Sequence, residues 1–582
     1  MKSTQTPQWG RLSNISRLGR LAFSVLLLCA ALMSSATSGT GAPDSRRSGV
    51  VEAGRPRSLS AGKRTPTPEG VGSNVNVTQN SSPQNETTIA ADPDNPLNLV
   101  AGTNDYRAGD SGPGFAYSFD GGLTWQSDTL AAINPAFGKY DAQGDPAVAA
   151  YRGGVFYYAY IDFSRSSDRN RLVLAKTLDG GVTWPQLTVL IDHPSGGTQD
   201  FEDKEYIAVD NSGGIHDGNV YFTWTRFPAF SSTRIMFSRS TDGGLSFSNA
   251  IQISDGTSGY QGSVPAVGPE GEIYVVWLRN SSVQFDRSLD GGLTWGPDTL
   301  VANISVIPSP LPGAVFRTNS FPTIAVDRSG GENRGTIYVA WADRFGVGNG
   351  PDILLSRSTN GGATWSGPVR VTDDTNGSYQ WFPWLSVAPD GGVNAVFFDR
   401  RDAPSTTLYH TYHARSTTGG LSFGPNLRVS DEISESLNDG FGGGFIGDYN
   451  GITSSQEATS PFWTDTRPAN PTADGFVAGL TGSQLGVSGT CPGMIRVSLG
   501  GATANRRVVL LAALSEGSFT LPAGRCAGTV LDLQSPTVVR LFLTDANGGA
   551  FFVQPAPPQV CGTPLQALDL LTCQTSNVAQ IP

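Results

Sequence analysis

Carboxylate and arginine side chains recur in this chain directly after short aromatic or apolar runs: Asn104-Asp105-Tyr-Arg107, Asp162, Trp224-Thr-Arg226, Trp277-Leu-Arg279, Trp341-Ala-Asp343-Arg344, Phe398-Asp399-Arg400-Arg401-Asp402 and Trp463-Thr-Asp465-Thr-Arg467. A second set stands just ahead of other apolar runs: Glu86, Asp141, Asp145, Asp203-Lys-Glu205-Tyr206, Trp381 and Gly447-Asp448-Tyr449-Asn450-Gly451. Only 15% of the 582 residues are charged, so these are concentrations of charge. A guanidinium is planar and grips a carboxylate through two parallel hydrogen bonds, and paired carboxyls can share general acid and base work. The plainer reading is that these Asp and Arg residues pair with one another across neighbouring repeats. Glu205, Arg401 and Tyr449 recur least and are the better candidates for chemistry. His410 and His413 lie three apart on an expected strand and face opposite sides, which makes a poor metal pair. The sequence has no P-loop, dinucleotide fingerprint, HExxH or GxSxG signature and indicates no metal or cofactor, structural calcium included.

The elements that must position these residues follow from a short repeat. Four copies read Ser118-Phe-Asp120-Gly-Gly-Leu-Thr-Trp125, Thr177-Leu-Asp179-Gly-Gly-Val-Thr-Trp184, Ser240-Thr-Asp242-Gly-Gly-Leu-Ser-Phe247 and Ser288-Leu-Asp290-Gly-Gly-Leu-Thr-Trp295. Two degraded copies end at Trp365 and Phe423. Each has the chemistry of a hairpin turn, an Asp or Asn that accepts from nearby N–H groups and a Gly pair that supplies positive φ. Two β-branched runs and a third precede each turn, and a fourth strand should follow it. Aligned on the first strand, units start near Ile89, Pro146, Tyr206, Val264, Pro322, Pro383 and Gly447, about sixty residues apart. That is seven units, the last without a turn motif or a clear fourth strand, which the segment 74–79 could supply. Alternating strand direction puts the charged strand ends and the connections between units on one face, where a polar mouth is expected.

The turn motif resembles the Asp-box, S-x-D-x-G-x-T-W, of sialidases and other β-propeller proteins. The resemblance implies an all-β fold, read here as a seven-bladed β-propeller over residues 74–483, with a six-bladed ring as the alternative because sialidases have six blades. If it extends to mechanism, it implies glycoside hydrolysis by an exo-sialidase: Arg279, Arg344, Arg400 and Arg401 as the clamp on the sugar carboxylate, Tyr449 as nucleophile, Glu205 as its partner, and Asp105 or Asp203 as acid. The chain departs from the family in lacking an Arg-Ile-Pro triplet ahead of the first box. The other reading is a non-catalytic propeller that binds a glycan or a protein at the same face.

Residues 1–36 read as an export signal: Lys2, Arg11, Arg17 and Arg20 precede the apolar run 21–33, and Ser34-Ser35-Ala36 offers small residues for cleavage, an uncleaved anchor being the alternative. Cleavage would leave a secreted or cell-surface chain with no transmembrane segment and a charge of about −15, against −11 for the full sequence. That balance, with no basic cluster, excludes an electrostatic nucleic-acid binder and leaves a glycan or glycoprotein as the expected partner. Residues 37–73 are rich in Gly, Ser, Pro and Arg and read as a linker. Residues 484–582 read as a small β-sandwich that loosely resembles the C-terminal β-modules of secreted bacterial proteins. Cys491, Cys526, Cys561 and Cys573 all fall there, and an exported chain with four such cysteines implies two disulfides. Three pairings are possible, and sequence order favours Cys491–Cys526 with Cys561–Cys573.

Overall fold

The β-branched and aromatic runs form strands in a computed structural model, which describes residues 71–581 apart from 195–199, 229–231, 345–349, 425, 456–457, 471, 481–483, 501–505, 523–525, 527–528, 545–549, 571–574 and 577–578. The expected export signal lies outside the described residues, as does the expected linker up to residue 70. Val71, at the linker's expected end, already bridges Leu480. No described helix is long and apolar enough to cross a membrane.

Residues 74–480 form antiparallel sheets, six of them built from strands in sequence order. The first holds Gln84–Ala91, Leu99–Asp105, Gly112–Ser118 and Gln126–Thr129, and the second Ala142–Tyr151, Val155–Phe163, Asn170–Thr177 and Gln186–His193. The third and fourth run from Phe201–Val209 to Ile251–Gln252 and from Tyr260–Val267 to Thr299–Asn303; the fifth and sixth begin at Thr323–Val326 and Gln380–Val387. A further sheet joins Gly451–Ser454, Thr459–Asp465 and Asp474–Val477 to Val75–Asn76, so its outer strand comes from the other end of this region. The first strand of each sheet lies against the first strand of the next, and that of the last sheet against Gln84–Ala91. The second strands are buried on both faces, which is why Trp224, Trp277, Trp341 and Trp463 in them are fully buried and why few charges are needed.

The Gly-Gly turns lock neighbouring sheets together as well as closing hairpins. Asp290 accepts from the Ser288 hydroxyl at 2.7 Å, from the backbone N–H of Leu293 and Thr294, and from the Thr294 hydroxyl at 2.6 Å. Gly292 has φ 85°, and a Cβ there would stand 2.5 Å from the Phe237 ring of the preceding sheet. Arg239 of that sheet donates to the carbonyl of Gly291 at 2.6 Å, and Arg357 does the same to Gly419 at 2.7 Å. Asp290→Ala, which strands two backbone donors and two hydroxyls at the surface, should destabilise the fold by about 1–2 kcal/mol. Urea unfolding followed by tryptophan fluorescence would show it, and an unchanged midpoint would mean the turn contributes nothing to stability.

Residues 484–581 form separate sheets. Gln484–Gly489, Gly493–Gly500 and Ala550–Ala556 make one, Thr537–Leu543, Arg507–Ala512, Pro564–Asp569 and Ala579–Gln580 another, and the two share a core that includes Ile495, Val497, Val508, Leu510 and Leu565. The disulfide here is Cys491–Cys561, which corrects the expected Cys491–Cys526 and Cys561–Cys573. The strand after Cys491 pairs with the strand before Cys561, Gly493 opposite Ala556, so strand pairing rather than sequence order brings these two sulfurs together. Cys526 is disulfide-bonded too, and Cys573 lies outside the described residues.

Candidate functional site

The innermost strands share a defect that aims side chains at one end of the sheet assembly. Register slips by one residue between Asn85 and Thr88, Gly144 and Ala147, Asp203 and Tyr206, Gln261 and Val264, and Trp381 and Trp384. The bulge residue is left-handed each time: Glu86 at φ 56°, Asp145 at 56°, Lys204 at 54°, Gly262 at 72° and Phe382 at 52°. Glycine is the natural occupant of such a position, and a charged side chain there costs about 1 kcal/mol or more of backbone strain that the surroundings must offset. Three successive sheets carry a charge at it. They are tied by a chain of hydrogen bonds: Asn104 Nδ2 donates to Glu86 at 2.7 Å, the Asp145 N–H to Asn104 at 3.1 Å, and the Lys204 N–H to Asp145 at 3.1 Å.

Above these bulges lies a cavity of about 760 Å³. Glu86, Asp145 and Asp203 line it together with the rings of Tyr106, Phe163, Phe201, Phe441 and Phe445, and Arg165, Asp168 and Arg317. Arg317 donates to both oxygens of Asp448, from Nε at 3.0 Å and Nη2 at 2.6 Å, and its Nη2 stands 3.8 Å from Glu86 Oε1. Its guanidinium lies 4.4 Å from the centroid of the Phe445 ring. Arg165 is likewise held by both oxygens of Asp110. Below the cavity, Tyr206, Trp384 and Tyr449 pack ring against ring, with the Lys204 ammonium 3.3 Å from the Tyr449 centroid.

Burial, then the neighbouring Asp145, pushes the Asp203 carboxyl up to about 7. Burial and then Asp145 also raise Glu86 well above the usual carboxylate range, and the same two causes raise Glu205, whose two oxygens are buried without a hydrogen-bond partner. Elsewhere, burial lifts Asp286 and Asp474 to about 7. All of these ionise near pH 4 in an unfolded chain, so the native state holds more protons between pH 4 and 7, and its stability falls as pH rises through that window. The turn aspartates, such as Asp242 at about 2, are ionised in both states there and add no slope. Burial lowers His410 to about 4 and His413 to about 3, and these two act in the opposite sense because the unfolded chain protonates them first, so the melting temperature at pH 5 should exceed that at pH 8 by the balance, roughly 5 °C. A calorimetric series showing the reverse order would mean that these carboxyls are solvated in the native state.

The residues expected from sequence separate. Asp203 lines the cavity, and Tyr449 and Glu205 are buried close to its floor. The Tyr449 hydroxyl donates to the Pro146 carbonyl at 3.0 Å, and burial, then Glu86, holds its pKa well above that of a free phenol, the opposite of what activates a nucleophile. Asp105 is fully buried and accepts from the N–H of Arg107 at 2.8 Å and from its Nε at 3.0 Å. Asp399 with Arg401, and Asp465 with Arg467, repeat this pairing, so the recurring Asp-x-Arg pattern closes on itself within one strand end, and Arg467 reaches on to Asp431 in the connection from the preceding sheet. Arg401 also pairs with Asp373. Arg279 is exposed over the Tyr260 ring, and Arg344 is exposed with its N–H on the Ser305 carbonyl. Arg400 is buried among Phe316, Tyr379 and Trp381 and donates to the Pro312 carbonyl at 3.2 Å; burial lowers its pKa to about 10. None of the four lines the cavity.

Arg317, which does line the cavity, was not among the expected residues. It sits in the connection between Thr299–Asn303 and Thr323–Val326, where no repeat flags it. The one available signal was the length of that connection.

No family model matches the chain, and no curated protein matches it. Among solved structures it is similar to a protein of unknown function from Dyadobacter fermentans, with 12% identity, TM-score 0.42, and 59% of this chain and 96% of that one covered. The intramolecular trans-sialidase from Ruminococcus gnavus gives 11% identity, TM-score 0.39, and coverage of 54% and 89%. The GH93 α-L-arabinofuranosidase of Fusarium graminearum gives 12%, 0.37, and 70% and 98%.

Proposed function

We propose that this chain is an exported glycan-acting protein: residues 74–483 close as a seven-bladed β-propeller on Val75–Asn76, and the cavity at the bulged strand starts binds a saccharide and cleaves a glycosidic bond. The observation that carries this reading is the pairing of carboxyls with rings. Asp203, with a carboxyl at about 7, retains its proton near neutral pH, and Asp145 stands beside it, under a wall of five aromatic rings. Aromatic faces suit the C–H faces of sugars, and a buried carboxyl that keeps its proton beside a second carboxyl suits an acid and its partner. In this scheme Asp203 protonates the departing oxygen, and Asp145 steadies the cationic sugar or activates water.

Sialic acid is the less fitting sugar, because its carboxylate would meet Glu86, Asp145 and Asp203 while Arg317 is held by Asp448. Arg279, Arg344, Arg400 and Arg401 lie outside the lining of the cavity, and Tyr449 and Glu205 serve better as the floor than as a nucleophile pair. Incubating the secreted, N-terminally processed protein with a panel of oligosaccharides and measuring new reducing ends tests the proposal. Binding without any bond cleavage would leave a receptor and remove the acid–base roles.

A further inference from the structure

The carboxyls on the cavity floor outnumber the cations that could balance them. Glu86, Asp145, Asp203 and Asp448 face Arg317 and Lys204, and Arg317 is already bound through two nitrogens to Asp448. Glu86 is 1% exposed and lines the cavity. Its Oε2 takes the Asn104 amide, and its Oε1 has no hydrogen-bond partner. Burial and Asp145 favour the protonated form of Glu86 in the empty cavity, and a ligand that brings an ammonium can take the place of that proton as the partner of the carboxylate. Among the described residues no group of three His, Cys, Asp or Glu side chains could hold a metal ion, and the rings lining the cavity favour an organic cation over a hydrated one. Tyr106 and Phe441, 4.8 Å apart, together with Phe445, present π-faces and edges to the same space. Such rings accept an ammonium as readily as a sugar's C–H face.

We infer that the cavity selects an amino sugar with a free ammonium, which pairs with the Glu86 carboxyl while its ring stacks on the aromatic wall, leaving Asp203 and Asp145 to the glycosidic bond. The inference rests on the glycan reading of the cavity and narrows it: N-acetylation would remove both the charge and two of the three N–H donors, and an anionic sugar would be repelled.

Calorimetric titration of the full mature chain with four saccharides and with spermidine tests it, the saccharides being the tetramer of glucosamine, its fully N-acetylated counterpart, cellotetraose and 3′-sialyllactose. Tetraglucosamine should bind at least about tenfold more tightly than the others. Glu86→Gln should erase that advantage while leaving the weaker affinity for cellotetraose. General attraction of a cationic oligomer to an acidic protein would not depend on one buried carboxyl, so this variant separates the site from the background. If Glu86→Gln does not fold, Glu86→Asp, which withdraws the carboxyl by one methylene, carries the same comparison. Equal affinity for glucosamine and N-acetylglucosamine tetramers would overturn the inference and leave the glycan reading standing. Binding of spermidine but no sugar, lost in Glu86→Gln, would overturn the sugar assignment and the glycan reading together. Binding of neither would do the same.

Discussion

Asp203→Asn should lower kcat/KM of the proposed glycoside hydrolysis by about a thousandfold, with little change in KM, because an amide of the same shape keeps the contacts but has no proton to give. The size follows from the role: a positioned general acid contributes about 10²–10⁴, or roughly 3–5 kcal/mol of barrier. The wild-type rate should fall as pH rises above about 7, where the Asp203 carboxyl loses its proton. Burial and Asp145 set that value, so Asp145→Asn should shift the fall toward lower pH while lowering the rate for its own reason. In Asp203→Asn the alkaline fall should disappear along with most of the rate. Asp105→Asn makes a useful contrast, since Asp105 is tied to Arg107 and its loss should reduce stability through that pair. A wild-type pH profile in Asp203→Asn would remove Asp203 from the chemistry whatever the total rate.

What could be seen in the sequence was what repeats. The Gly-Gly turns mark hairpins because only a short polar side chain and two left-handed residues make that turn, and the turn recurs at fixed distance from buried second strands. The bulged strand starts were visible as charged positions at Glu86, Asp145 and Lys204, but their left-handed geometry was not, since nothing in Asn-Glu-Thr or Gly-Asp-Pro announces a register slip. Arginines after aromatic runs looked like a mouth, yet in Asp105-x-Arg107, Asp399-x-Arg401 and Asp465-x-Arg467 the aspartate accepts from the N–H two residues on and captures that residue's guanidinium. A spacing of two on a strand end is short enough for this to happen locally, so recurrence there signalled structure. Tyr106, Phe163 and Phe201 reach the cavity from the ends of repeating strands, but the rest of its wall comes from parts that do not recur: Val315 and Arg317 in one long connection and Phe441 and Phe445 in another. Such segments are placed by tertiary contacts such as Arg317–Asp448, more than a hundred residues apart, which no local pattern encodes.

Val77→Asp should destabilise the sheet assembly by about 4 kcal/mol or more and drive much of the expressed protein into aggregates. Val77 is 1% exposed and packs with Ile89, Leu99, Phe462 and Val477, so the apolar contact alone accounts for about 2 kcal/mol, and a carboxylate buried in its place adds a desolvation penalty. The segment around it ties three sheets. Val75 and Asn76 pair with Val477 and Phe476, Asn76 Nδ2 donates to Asp474 at 2.9 Å, and Thr78 donates to Gln84 at 2.8 Å. Asn74 donates to the Val429 carbonyl at 3.0 Å and accepts from the Asp431 N–H at 2.8 Å. Deleting residues 74–79 should be worse than Val77→Asp, because it leaves the Asp474–Val477 strand with an open edge and strips Asp474 of its Asn76 donor while it stays buried. Leu123→Asp is the control: Leu123 is 73% exposed in a turn, so its change should fall within about 0.5 kcal/mol. Denaturant unfolding of the three variants gives the order directly. If Val77→Asp unfolds at the same midpoint as Leu123→Asp, the strand from the N-terminal end does not hold the last sheet to the first, and what joins those two sheets must be sought in the contact of Gly451–Ser454 with Gln84–Ala91 alone.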